Sequence, residues 1–176
     1  MLSSMTDRFH DALMAPGRSP EVPAQHDLYG WLVGSWELDI LRYKGAATPG
    51  LKGEVHFAWV LEGRAIEDIW IMPRLGDRRA ALTKANNMYG VTFRVWDPSI
   101  EAWLIRWINP VTCHLEQQIG RRSGADIVQI GARADGTPTR WRYTEITADA
   151  FRWIGESLAP DGVTWRLEGE FRAKRI

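Results

Sequence analysis

From Ser35 to Phe171 apolar and polar side chains alternate with a period of two, and turn-forming residues break the pattern about every ten positions. This alternation constrains the fold more than any other feature of the chain. It predicts strands over 35–42, 53–61, 64–72, 88–97, 102–109, 113–120, 126–133, 138–146, 150–158 and 163–173. The breaks are Glu62-Gly63, Asp97-Pro98-Ser99, Ser123-Gly124, Asp135-Gly136, Thr147-Ala148-Asp149 and Pro160-Asp161-Gly162. Residues 73–87 read as a longer charged loop. About ten antiparallel strands in succession predict an all-β, up-and-down antiparallel β-barrel, because closure removes exposed edges, and a barrel of that size can enclose a ligand cavity.

Ahead of the strands, residues 6–14 predict a short N-terminal helix capped by Ser4 or Thr6, with Phe9, Leu13 and Met14 on one side and Pro16-Gly17 ending it. The three prolines of residues 16–26 make an extended lead-in, and Asp27 can cap one helical turn after it. The organisation expected is therefore an N-terminal helix and proline-rich lead-in over 1–27 and a single barrel domain over 28–176.

Basic and acidic residues number 22 each, with no basic run, so neither nucleic acid nor an anionic membrane is expected as a partner. A single cysteine, Cys113, excludes an internal disulfide and reads as a small core residue rather than a nucleophile. Asp7, Arg8 and Asp11 interrupt the apolar stretch that a signal peptide needs, and no window is apolar enough to span a bilayer, so a cytoplasmic location is expected. The ten tryptophans imply an aromatic-lined interior or interface.

Hairpin registers indicate which side chains point inward, because a one-residue slip exchanges the two faces of a strand. A turn at Glu62-Gly63 pairs Trp59 with Ile66, Phe57 with Asp68 and Val55 with Trp70 on one inward face, leaving His56 and Glu67 outside. A four-residue loop from Pro98 to Glu101 pairs Trp96 with Trp103, Arg94 with Ile105 and Thr92 with Trp107. The face carrying these tryptophans, Arg94 and Asn109 is assigned to the interior, and the face with Val91, Phe93, Val95, Leu104, Arg106 and Ile108 to the outside, under the N-terminal helix or a second subunit. A turn at Pro160-Asp161-Gly162 places Ser157 opposite Trp165, Gly155 opposite Leu167, Trp153 opposite Gly169 and Phe151 opposite Phe171 inside. Outside, it sets Glu156 against Arg166 and Arg152 against Glu170. The preceding hairpin turns Trp141, Tyr143 and Glu145 inward and puts Arg140 beside Glu156. A two-residue type I′ turn at Asp135-Gly136 then brings in Val128, Ile130 and Ala132, followed by Leu115, Gln117 and Ile119.

The inward polar groups expected are Asp68, Thr92, Arg94, Asn109, Gln117, Tyr143, Glu145 and Ser157. With Trp59, Trp96, Trp103, Trp107 and Trp153 they describe a pocket whose aromatic walls take an apolar body and whose polar groups, Arg94 above all, orient a polar or anionic end. Two alternatives stand beside this reading. One is a cofactor-free isomerase, cyclase or hydratase with Asp68 or Glu145 as general acid or base. The other is a structural dimeric barrel whose interior is filled by a satisfied network of Arg94 with Asp68 or Glu145. No nucleophile motif or phosphate-binding loop occurs, and His114-x-Glu116, read as outward, offers too few ligands for a metal, so no cofactor is expected.

The stretches LVGSWELDI, VLEGRAIEDIW, YGVTFRVWDPSIEAW and EITADAFRWIGESLAPDGVTWRLEGEFR resemble an uncharacterised bacterial family of lipocalin-like, calycin-type barrels over about residues 28–173. The resemblance implies a barrel with a central cavity, often dimeric, and brings no agreed activity. The family is distantly similar to the nitrobindins, which hold haem through a histidine late in the barrel; this chain has no histidine after His114, so haem is not expected.

Overall fold

A computed structural model of the chain describes residues 2–78 and 87–176. It is an all-β closed barrel of ten antiparallel strands, each paired with its neighbour in sequence, and the last pairs with the first. The strands are β1 (Gly34–Tyr43), β2 (Ala46–Val60), β3 (Ala65–Met72), β4 (Met88–Asp97), β5 (Ala102–Asn109), β6 (His114–Ser123), β7 (Asp126–Ala132), β8 (Pro138–Thr144), β9 (Ala150–Leu158) and β10 (Trp165–Arg175). One helix precedes them, α1 (Leu2–Leu13). The architecture is compatible with a calycin-like fold. No helix among the described residues is long and apolar enough to cross a membrane. Part of the charged 73–87 loop, residues 79–86, lies outside the described residues.

β2 begins earlier than the alternation indicates. Lys44 and Gly45, both at positive φ, form a tight hairpin that pairs Tyr43 with Ala46. Pro49-Gly50 sits beside a bulge at Ile40–Arg42, where the Thr48 hydroxyl donates to the carbonyl of Ile40.

The two ends of the barrel differ. One is plugged by residues 14–33. Met14 bridges to Val60, and the amide of Ala15 donates to the carbonyl of Trp59. Tyr29 and Leu32 are fully buried inside this end. Three indole N–H groups donate to carbonyls of the plug: Trp103 to His26 at 2.9 Å, Trp36 to Leu32 at 2.7 Å and Trp31 to Leu28 at 3.0 Å. A buried indole needs such a partner, so these bonds help to fix the plug alongside its apolar contacts. The other end carries the β1–β2, β5–β6 and β7–β8 turns, and the cavity opens there.

The registers of β2–β3 and β4–β5 are those the sequence predicts: Phe57 faces Asp68, Thr92 faces Trp107, Arg94 faces Ile105 and Trp96 faces Trp103. Arg94 and the tryptophans point inward, and Arg106 points to solvent. Four expectations are corrected. The β7–β8 connection is a three-residue loop, Ala134 to Gly136, in which the Arg133 and Thr137 main chains pair and Gly136 takes φ 83°. A type I turn followed by a left-handed glycine adds one residue relative to a type I′ turn, so β7 and β6 turn over. Ile127 and Gln129 point inward, as do Glu116 and Gln118, while Leu115, Gln117, Ile119 and Ile130 point out. Secondly, β8 ends at Thr144. Glu145 lies beyond it at φ 52°, exposed and paired with Arg152 at 3.0 Å. Thirdly, β9 and β10 are offset from the predicted pairing, with a bulge between Leu167 and Gly169, so Phe171 faces Trp153 rather than Phe151. Glu156 is held outside by Arg140 and Arg142, not by Arg166. Arg152 does pair with Glu170. Cys113, expected in the core, is exposed in the β5–β6 turn.

Candidate functional site

The cavity occupies the open half of the barrel and has a volume of about 490 Å³. Its walls are aromatic: Trp70 from β3, Trp107 from β5, Trp141 from β8, Trp153 from β9 and Phe171 from β10. Trp153 stacks on Phe171 with ring centroids 4.8 Å apart and packs at a tilt against Trp70 and Trp141. Glycines make room for these rings. A Cβ on Gly155 would lie 2.5 Å from the Trp153 ring, one on Gly169 2.8 Å from the same ring, and one on Gly90 2.6 Å from Trp107.

The floor is polar and sealed. Arg94, 1% exposed, forms an ion pair with Asp68, also 1% exposed, and donates to the Tyr143 hydroxyl at 3.0 Å. Asp68 accepts a second hydrogen bond from the Thr92 amide at 2.9 Å. The guanidinium lies over the rings of Tyr29 and Phe57, 5.1 and 5.6 Å from their centroids, so the charge rests on π faces as well. Burial pushes Asp68 up from the usual carboxylate range, against the pull of Arg94 and Thr92. For Arg94 burial works the other way, but Asp68 and the two phenols outweigh it and hold the guanidinium charged. The Nε–H of Arg94 is buried with no acceptor. With under 1 Å² of accessible surface, this atom lies behind the surface of the cavity floor.

A second polar cluster stands in the wall toward the mouth. Glu116, 3% exposed, receives the Thr139 hydroxyl and the Gln118 amide, the latter at 2.9 Å. Its other oxygen lies 3.0 Å from His114 Nε2. The carboxylate is fixed from one side and orients an imidazole that lines the cavity. At the rim, Glu168 is paired with Arg133 and accepts from the Ser157 hydroxyl at 2.7 Å. Among the described residues no group of three metal-ligating side chains occurs.

Of the residues the sequence nominates, Arg94, Trp107, Asn109, Tyr143 and Trp153 line this cavity, and Asp68 sits directly behind Arg94. Asn109 also braces the mouth, accepting from the Val111 amide at 3.1 Å. Trp59, Trp96 and Trp103 are inward but belong to the plugged end; Trp96 stacks on His26 with centroids 4.4 Å apart. Gln117 and Glu145 do not enter the cavity, the first because β6 is turned over and the second because its strand has ended. The sequence reading that turns His114-x-Glu116 outward is corrected, since both line the cavity because β6 is turned over, and sequence reasoning misses Gln118, Thr139, Arg133 and Glu168. The available signal was the polar series Glu116, Gln118 and Gln129 interleaved with Leu115, Ile119 and Ile130. No family model matches the chain, and no curated protein does.

Proposed function

We propose that the protein binds a small, largely apolar molecule with a hydrogen-bond-accepting end. The body lies among Trp107, Trp141 and Trp153, and the acceptor end lies toward the Arg94 guanidinium at the cavity floor. The aromatic cavity that converges on a charged guanidinium is the observation that carries the reading. It also sharpens the chemistry of the head group. The charge of Arg94 is already balanced by Asp68, and the rim pair Arg133–Glu168 is likewise self-compensating. A carbonyl or ether oxygen therefore suits the floor better than a carboxylate, whose charge would be buried without a counter-ion. Titration with acetylnaphthalene, followed by tryptophan fluorescence, tests occupancy. Saturable quenching at one ligand per chain is expected; quenching that never saturates would remove the site.

A second reading has its own support in the pair His114–Glu116. With a proton on Nε2 shared with Glu116, His114 Nδ1 is left as a base in the cavity wall, and the imidazolium it forms on taking a proton would balance the charge of an enolate, a counter-ion that a bound carboxylate lacks. In a bound methyl ketone a C–H bond would break, its proton passing to Nδ1 and its electron pair to the oxygen at Arg94, and the reverse step would return a solvent-derived proton. Acetylnaphthalene in deuterated buffer should lose its methyl proton signal faster with the protein than without it, and at the buffer rate with His114→Gln. Exchange at the buffer rate with the unaltered protein would exclude this chemistry.

A further inference from the structure

The outer surface of the barrel is divided into two halves. Over β8, β9, β10, β1 and β2 it is a ladder of ion pairs, including Arg140–Glu156, Arg152–Glu170 and Lys52–Asp39. Over β3 to β7 it is apolar and laid out in rows by the strand register. One row is Ile69–Val91–Ile108–Leu115 and another is Val95–Leu104–Ile119–Ile130. Leu115 is 64% exposed and Ile130 47%. The exposed side chains of this face come to roughly 600 Å², at the upper end of the ~300–600 Å² that the largest apolar patch of a monomer spans, and most of the ~800 Å² each partner contributes to a standard interface. The N-terminal helix does not cover it; its last turn is tied to the β2–β3 hairpin, where Leu61 donates to the carbonyl of Leu13.

Between the two apolar rows runs a third, Glu67–Phe93–Arg106. Glu67 and Arg106 flank Phe93 on adjacent strands, and neither has an ion-pair partner among the described residues. From this arrangement we infer that the chain pairs with a second copy of itself through the β3–β7 face, about a two-fold axis running along β4 through Phe93. In an isologous contact, if one residue meets a second residue of the partner copy, that second residue meets the first in turn. An axis along β4 exchanges β3 with β5, which sets Glu67 against Arg106 of the second copy and Arg106 against its Glu67, with Phe93 between the two ion pairs. The same axis lays Ile69 against Ile108. An axis at right angles, along the row, would oppose Glu67 to Glu67 and Arg106 to Arg106, so the charges select the first. Half-burial holds Glu67 above the usual carboxylate range, and a guanidinium opposite would relieve it.

Sedimentation velocity of the full chain tests this. The species expected is twice the 20.1 kDa chain mass. Phe93→Glu should yield a monomer with an unchanged circular dichroism spectrum. Glu67→Arg and Arg106→Glu should each weaken dimerisation by about tenfold or more, and the two together should restore it, since the reversed charges still meet. A monomeric unaltered chain would overturn the inference, as would a dimer indifferent to Phe93→Glu or a double variant no better than the singles. A monomer that instead co-sediments with phosphatidylcholine vesicles would reassign the face to lipid.

Discussion

Asp68 and Arg94, on adjacent strands, form an ion pair sealed from solvent beneath the cavity floor. Removing one member leaves an uncompensated charge in the barrel. Asp68→Asn should destabilise the fold by about 3–5 kcal/mol, whereas Asp68→Leu with Arg94→Met should be markedly less harmful than either change alone, because no bare charge remains. Urea unfolding followed by tryptophan fluorescence measures both. Additive losses in the double variant would mean the two residues act independently.

Cavity size is set by glycine. Gly155→Ala places a methyl group against the Trp153 ring and must push the indole off Phe171 or into the cavity. Loss of acetylnaphthalene affinity by about tenfold, with destabilisation of about 1–3 kcal/mol from overpacking, is expected. Unchanged affinity would show that Trp153 does not bound the ligand.

Two buried phenols make the fold sensitive to alkali. Burial pushes the Tyr29 hydroxyl up to about 12, against the opposing effects of Arg94 and Gln129, and moves Tyr143 in the same direction. In the unfolded chain both ionise near 10. Between these values the folded state keeps protons that the unfolded state releases, so stability is fully present below pH 10 and falls as pH rises toward 12. Unfolding midpoints measured across this window should decline, and Tyr29→Phe should flatten the decline. A midpoint independent of pH there would contradict the burial of these hydroxyls.

The barrel and half of its interior are legible in the sequence because two hairpins identify themselves. Glu62-Gly63 and the loop from Pro98 to Glu101 each leave one register that gathers the aromatics, and Asp68, Arg94 and Trp107 follow from it. The other half is hidden by two local ambiguities. Ala134-Asp135-Gly136 accommodates a two-residue or a three-residue loop equally well, and the difference of one residue inverts β6 and β7. The rule that apolar residues point inward then misleads. On these strands Leu115, Ile119 and Ile130 face out, while Glu116, Gln118 and Gln129 face in. The criterion that works for β4 and β5, polar groups interspersed on the cavity face, identifies the inward side of β6 as well. Glu168 depends on the β10 bulge, which no local residue pattern announces.

The role of Arg94 is tested most directly by comparing three ligands of one shape. Acetylnaphthalene, ethylnaphthalene and naphthoate differ in offering a neutral acceptor, no acceptor and a charged one. The ketone should bind the unaltered protein about tenfold or more tightly than the hydrocarbon, as one hydrogen bond to a charged donor provides, with naphthoate weaker than the ketone. In the Asp68→Leu, Arg94→Met variant the ketone and the hydrocarbon should bind alike. Equal binding of the two by the unaltered protein, or a ketone preference that survives in the variant, would contradict the assignment of Arg94 as the group that orients the ligand.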